Sequence, residues 1–244
     1  MRKLISYLAI AVGFLALLTL AISGPLYQAG VAELGTAFLL LRWAAYIGAG
    51  AAVVGLVLLI WQALKPANNA PSSMLLGLAV IAAGVSFILP YLQLQTARSV
   101  PPIHDISTDL SNPPAFVAIA PLRADAPNPV EFAGEESAEQ QRKAYPDLAT
   151  WTTSASVEQV YQQALTIVAD MGWELVASDA TEGRIEATDT TTWFGFKDDV
   201  VIRIVATDTG SAVDMRSKSR VGRSDVGVNA KRIRAYLAAL EQAL

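Results

Sequence analysis

Three long apolar runs crowd into the first 98 positions, and they decide what this chain can fold into. Residues 4–22 and 74–92 are each 19 residues long and carry no charge. At 1.5 Å per residue such a run spans about 28 Å as a helix, close to the ~30 Å hydrocarbon core of a bilayer. The middle run, about 37–64, is longer and contains Arg42. Trp43 and Trp61 lie about 27 Å apart along a helix, so each fits one membrane interface. Arg42, beside Trp43, then reaches the headgroups with its charge while its stem stays apolar. Ala44, Gly48 and Ala52, then Ala51 and Gly55, then Ala79 and Ala83 repeat small residues at a spacing of four, which lets helix backbones approach closely.

The charge distribution divides the chain at the end of these runs. The whole chain is 53% hydrophobic and 16% charged, against about 25% charged residues in average soluble domains. Residues 1–98 hold Arg2, Lys3, Arg42, Lys65, Arg98 and the single acid Glu33, a net charge of +4, whereas residues 99–244 carry −8. The expected organisation is a membrane domain of three transmembrane helices over 1–98 and a soluble α+β domain over 99–244. Few ionisable residues and no visible inverted repeat in the spans speak against a transporter. Zero cysteines and one histidine exclude disulfides and Cys- or multi-His metal sites. No cofactor or metal is expected, and the lipid bilayer is the first partner.

Orientation follows the positive charges near the span ends. Arg2 and Lys3 precede the first span, the loop over 24–36 has no Lys or Arg, and the loop over 65–73 has Lys65. The expectation is a multi-pass protein of the cell membrane (the inner membrane in a Gram-negative cell), with its N-terminus cytoplasmic and its C-terminal domain periplasmic or extracellular. The first run is long for a signal peptide, so it reads as a retained anchor.

The second half changes chemistry. Residues 115–120, AFVAIA, suit a short strand, and 121–146 is a Pro-containing acidic connection with a short helical turn near 137–143. Ser156 with Gln159 forms a capping box, followed by an apolar stripe of Val160, Ala164, Ile167, Val168 and Met171 and a stop at Gly172. Four strand-like runs follow, at 173–177, 184–188, 200–206 and 212–221, joined by turn residues. A last helix spans about 226–244. Consecutive strands with short turns pair antiparallel, and two amphipathic helices cover one face of the sheet.

Three segments carry candidate chemistry. PPIHDISTDLSNPPAF at 101–116 gathers His104, Asp105 and Asp109 in a non-helical stretch. His104 with a neighbouring Asp suits proton transfer, and Asp105 with Asp109 suits a hard cation; the alternative is a loop whose polar side chains satisfy its own backbone. TDTTTWFGF at 188–196 offers Trp193, Phe194 and Phe196 for a pocket, an interfacial anchor or core packing. Residues 211–234 carry seven basic residues and two acidic ones. Arg216, Lys218 and Arg220 alternate on one strand face, and Arg223 and Asp225 mark the start of the last helix. A phosphate or carboxylate suits that place, unless the arginines pair internally with Asp214 or Asp225. Nucleic acid is not an expected partner, because the domain is net acidic.

PPIHDISTD at 101–109, NPPAF at 112–116 and RSKSRVGRSDVGVNAKRIR at 216–234 resemble an uncharacterised family, domain of unknown function 1499. The resemblance covers about 100–244 and implies that these segments belong to one domain. It implies no reaction, substrate or cofactor, and without a cysteine near the first motif a thiol-dependent role has no support. The residues alone leave three functions open. The leading one, which the basic strand and helix start favour, is an extracytoplasmic module binding an anionic ligand, such as a lipid headgroup or glycan, through His104, Asp105, Asp109, Arg216, Arg220, Arg223 and Asp225. Another is a structural or assembly subunit that holds other membrane proteins. The third is a hydrolase or isomerase using His104.

Overall fold

The computed structural model describes residues 2–66 and 71–244. Positions 67–70 of the expected second loop lie outside the described residues. The chain divides into two compact units. One comprises the residues up to Thr96 with Trp193–Gly195; the other comprises Ala97–Thr192 and Phe196–Leu244.

The first unit contains α1 (Arg2–Gln28), α2 (Leu34–Leu64) and most of α3 (Ser73–Ser99). All three are long and apolar enough to cross a membrane. Their packing inverts the order of a water-soluble core. Leu15, Val53, Leu56, Ile81 and Leu92 are exposed, while Ala16, Ala37, Ala44, Ala79 and Ala83 are buried. Lipid solvates large side chains as well as protein does, so small residues that allow close backbone approach take the interior. A Cβ on Gly48 would meet the Ala83 carbonyl oxygen at 2.7 Å and the Ser86 Cβ at 2.8 Å. One on Gly55 would meet a Val80 methyl at 2.5 Å. Gly48 and Gly55 of α2 therefore lie against α3; Ala44 and Ala51 are also buried, while Ala52 is only partly buried. Trp193 and Phe194 belong to this unit: the Trp193 indole donates to the Ala21 carbonyl at 3.2 Å. The Phe194 ring lies 5.6 Å from that of Phe38 and 6.2 Å from that of Tyr27.

The second unit is an antiparallel α+β domain. Its elements are β1 (Asp105–Ser107), a 3-10 turn (Ala120–Arg123), α4 (Glu135–Ala144), β2 (Trp151–Thr153), α5 (Val157–Asp170), β3 (Glu174–Asp179), β4 (Arg184–Thr190), β5 (Lys197–Thr207), β6 (Gly210–Ser219) and α6 (Val228–Ala243). The strand order is β1-β6-β5-β4-β3, and β2 also pairs with β6. The capping box at α5 forms as expected, with the Ser156 hydroxyl accepting from the Gln159 amide and the Gln159 side chain accepting from the Ser156 amide. Gly172 adopts φ +72° where the chain leaves α5, the left-handed conformation that glycine takes without steric cost.

Several expectations change in detail. Residues 115–120 form no strand; the backbone there is irregular and enters the 3-10 turn. The Pro113-Pro114 pair removes two ladder donors just before it. The expected turn near 137–143 is the ten-residue α4. Strands β1 and β2 add to the four expected runs; each has three residues, too few to show a period. Arg220 follows the end of β6 rather than continuing it.

Pleating sorts the strands onto two faces. Ile106, Ile185, Ile202, Val213 and Met215 face α5 and α6 and form the core with Val160, Ala164, Ile233 and Tyr236. The opposite face is polar and is covered by the irregular chain of 112–134, which contributes Phe116, Ile119 and Val130 to a small cluster with Val201 and Val176.

Gly48→Leu is expected to lower the melting midpoint of the helical signal of the detergent-purified protein. Gly50→Leu, where nothing lies within 4 Å of an added Cβ, leaves it nearly unchanged.

Candidate functional site

Strand register builds the polar face in three rows. Cross-strand pairing sets Arg184, Arg203 and Asp214 in one row, Glu186, Val201, Arg216 and Ser107 in the next, and Thr188, Asp199, Lys218 and Asp105 in the third. Charged groups on a covered face need partners, because an unpaired buried charge costs several kcal/mol.

Asp105 is the centre of this arrangement. Its carboxylate accepts from Arg216 at 2.8 and 2.9 Å and from Lys218 Nζ at 3.0 Å. Asp105 is 0%, Arg216 3% and Lys218 1% exposed. Burial alone pushes the Asp105 carboxyl up, but the Arg216 hydrogen bonds and the two cations outweigh it and hold the group below the usual Asp value. Burial pushes the Lys218 ammonium down, with Asp105 opposing. The remaining donors of both cations go to the covering chain. Arg216 donates to the Pro114 and Val130 carbonyls at 3.3 and 3.0 Å, and Lys218 donates to the Glu131 carbonyl. The Phe116 ring centroid lies 4.9 Å from the Arg216 guanidinium carbon, so the NPPAF motif covers the cation directly.

Two further carboxylates are held similarly. Asp199 accepts from Arg220 at 2.8 and 2.8 Å, from Arg123 at 2.7 Å and from the Thr188 hydroxyl at 2.7 Å. Glu186 accepts from the amides of Val117, Ala118 and Ile119 at 2.8–3.1 Å and from Arg184 at 3.0 Å. At one edge, Arg203 bridges Asp109 and Asp214 at 2.9 and 2.8 Å. A shallow groove of about 270 Å³ runs beside Arg184, Arg203, Pro113, Pro114 and Val117. Both of its arginines are paired with carboxylates.

The remaining candidates lie around the start of α6. Asp225 accepts from the Gly227 and Asn229 amides at 2.8 and 2.9 Å; burial pushes its carboxyl above the ordinary value. His104 is half-buried, and burial lowers its pKa against a hydrogen bond with the Arg223 backbone. Arg223 itself is exposed.

The structure therefore joins Asp105 to Arg216, joins Asp109 to Arg203, and places Asp225 at the start of α6. It pairs Arg220 with Asp199, not with Asp225. Asp105 and Asp109 turn to different cations, and among the described residues no group of three His, Cys, Asp or Glu side chains is placed to hold a metal. Sequence reasoning placed Lys218 on the basic strand face but passed over Arg123, Asp199 and Glu186 as members of this network. It also passed over Arg232, which holds Asp189 and Asp198 at 2.6 and 2.7 Å on the helix side. The signal available was the alternation of Glu186 with Thr188 and the acidic start of β5, which match the basic alternation of β6 once the strands are aligned.

Arg216→Met should cost about 3–5 kcal/mol in denaturant unfolding. Asp105→Asn should cost a similar amount, and the double variant should cost less than the sum, since the cycle isolates their coupling. The pH dependence has a defined sign. Asp105 has a lowered folded pKa, so its contribution is full above about pH 4, the unfolded value. It is lost as pH falls toward the folded value, and Asp105→Asn removes that part of the acid loss. Asp225, with a raised folded pKa, acts oppositely: its penalty is relieved as pH falls through that raised value.

No curated protein is similar enough to match the chain. The family model described as protein of unknown function, DUF1499, matches residues 105–240. That span runs from Asp105 in β1 into α6, encloses the whole polar face, and takes in more than half of the chain: this protein belongs to the DUF1499 family.

Proposed function

We propose that this chain is a structural or assembly subunit of a membrane complex, anchored by three helices and presenting a rigid domain outside the cytoplasm. The observation that carries this reading is the fate of the basic motif. Arg216 and Arg220 are spent on Asp105 and Asp199, so the charges that suggested an anion site instead fasten the covering chain to the sheet. The orientation rests on Arg2, Lys3 and Lys65 against a first loop without Lys or Arg.

A second reading, binding of an anionic ligand such as a lipid headgroup or glycan, is favoured by Arg223 and Lys231, which are exposed beside and on α6. Asp225 already occupies two amides at the start of that helix, which weakens the site for an external anion.

Paired variants separate the two readings. For a structural subunit, Arg220→Ala lowers the unfolding midpoint, and Arg223→Ala changes neither stability nor sedimentation of the domain with phosphatidylglycerol vesicles. A salt-sensitive vesicle affinity that Arg223→Ala abolishes would replace the assembly reading with ligand binding. Native mass spectrometry of the full chain in detergent is expected to show it within an oligomer or a complex. A reporter active only in the cytoplasm, fused after Leu244, should stay silent.

A further inference from the structure

We infer that the end of the helical unit bearing Arg2, Lys3 and Lys65 binds the phosphate of an anionic phospholipid. Arg2 opens α1 and Lys65 follows α2, and one Arg2 nitrogen donates to the Lys65 carbonyl at 2.7 Å. The Arg2 guanidinium carbon lies 5.3 Å from the centroid of the Trp61 ring. The Gln62 side chain donates to the Pro71 carbonyl at 2.7 Å, which brings the approach to α3 to the same end. This end therefore gathers three cations, with Lys3 and Lys65 exposed. The second Arg2 terminal nitrogen is buried and has no hydrogen-bond partner among the described residues, so Lys3 and Lys65 are the cations open to a ligand.

Nothing within the unit neutralises this charge. The single acid of residues 1–98 is Glu33, at the opposite end of the 31-residue α2. That separation is about 48 Å along the helix, some six Debye lengths of ~8 Å at physiological salt. Trp61 is 45% exposed, and an exposed Trp at a span end sits at headgroup depth. Cations held beside it meet lipid phosphates before they meet a soluble anion. Arg2 is fixed by the Trp61 ring and the Lys65 carbonyl, so little side-chain freedom remains to be lost on binding. Lys3 and Lys65 supply exposed ammonium donors at the same end.

The test uses the full chain in a neutral detergent, given equal amounts of phosphatidylglycerol and phosphatidylcholine and read by native mass spectrometry. The expected result is preferential phosphatidylglycerol adducts that weaken as salt is raised. The preference should fall about fivefold for each lysine removed in Lys3→Gln and Lys65→Gln, and Lys3→Arg with Lys65→Arg should retain it. Equal retention of the two lipids would overturn the inference. So would an unchanged preference in a double Gln variant whose helical circular dichroism matches the wild type. Displacement of the adducts by soluble glycerol phosphate would overturn the commitment to lipid. Should the Gln variants fail to fold, a wild-type preference indifferent to salt would overturn it as well.

Discussion

The carboxylate of Asp105, matched out of water by Arg216 and Lys218, is the interaction on which the covered half of the domain depends. A carboxylate accepts only, while Arg and Lys donate only, so the group can be buried only if donors surround it. Arg216 and Lys218 have donors to spare, and these go to the carbonyls of Pro114, Val130 and Glu131. That is what the covering chain needs. Its prolines remove N–H groups, leaving an irregular backbone rich in acceptors with no ladder to satisfy them. Glu186 completes the arrangement in reverse, taking the three amides of Val117, Ala118 and Ile119. The segment is thus held by its carbonyls on the cations and by its amides on an anion.

This explains why the helix side of the domain was legible in the sequence and the covered side was not. Helix α5 announces itself through the Ser156–Gln159 box and a 3.6-residue stripe, and β4, β5 and β6 through turn residues and β-branched runs. Those signals are local. Strands β1 and β2 exist because β6 pairs with them, and three residues carry no period of their own. Residues 115–120 are apolar enough for a strand, but the prolines before them and the Glu186 carboxylate waiting across the sheet draw their amides elsewhere. The alternating basic residues of β6 were visible; their partners in β1 and β5 depend on register, which a single sequence does not reveal. The same alternation that suits an external phosphate also suits Asp105, and only the fold separates the two.

The two units solve burial by opposite means. In the helical unit, Ala and Gly take most of the interior beside a few large residues such as Ile10, Leu58 and Leu76, while most Leu, Ile and Val side chains face outward, as suits helices long and apolar enough to cross a membrane. In the domain, Ile, Val and Met fill the helix side while charges fill the other. Breaking a buried ion pair costs more than forming it gains, so the covered face is more sensitive to loss of one partner than its net stabilisation suggests. A domain built this way holds its shape at the cost of committing its signature cations to itself, which is the basis for reading it as a structural module.

The most direct measurement of this account is native-state hydrogen exchange at the Val117, Ala118 and Ile119 amides of the intact protein. If the charged face locks the covering chain to the sheet, these amides, although in irregular backbone, exchange as slowly as those of β5, near the global unfolding limit. If they exchange rapidly while β5 stays protected, the segment opens independently of the sheet, and the charges beneath it are a reachable site rather than a fastening.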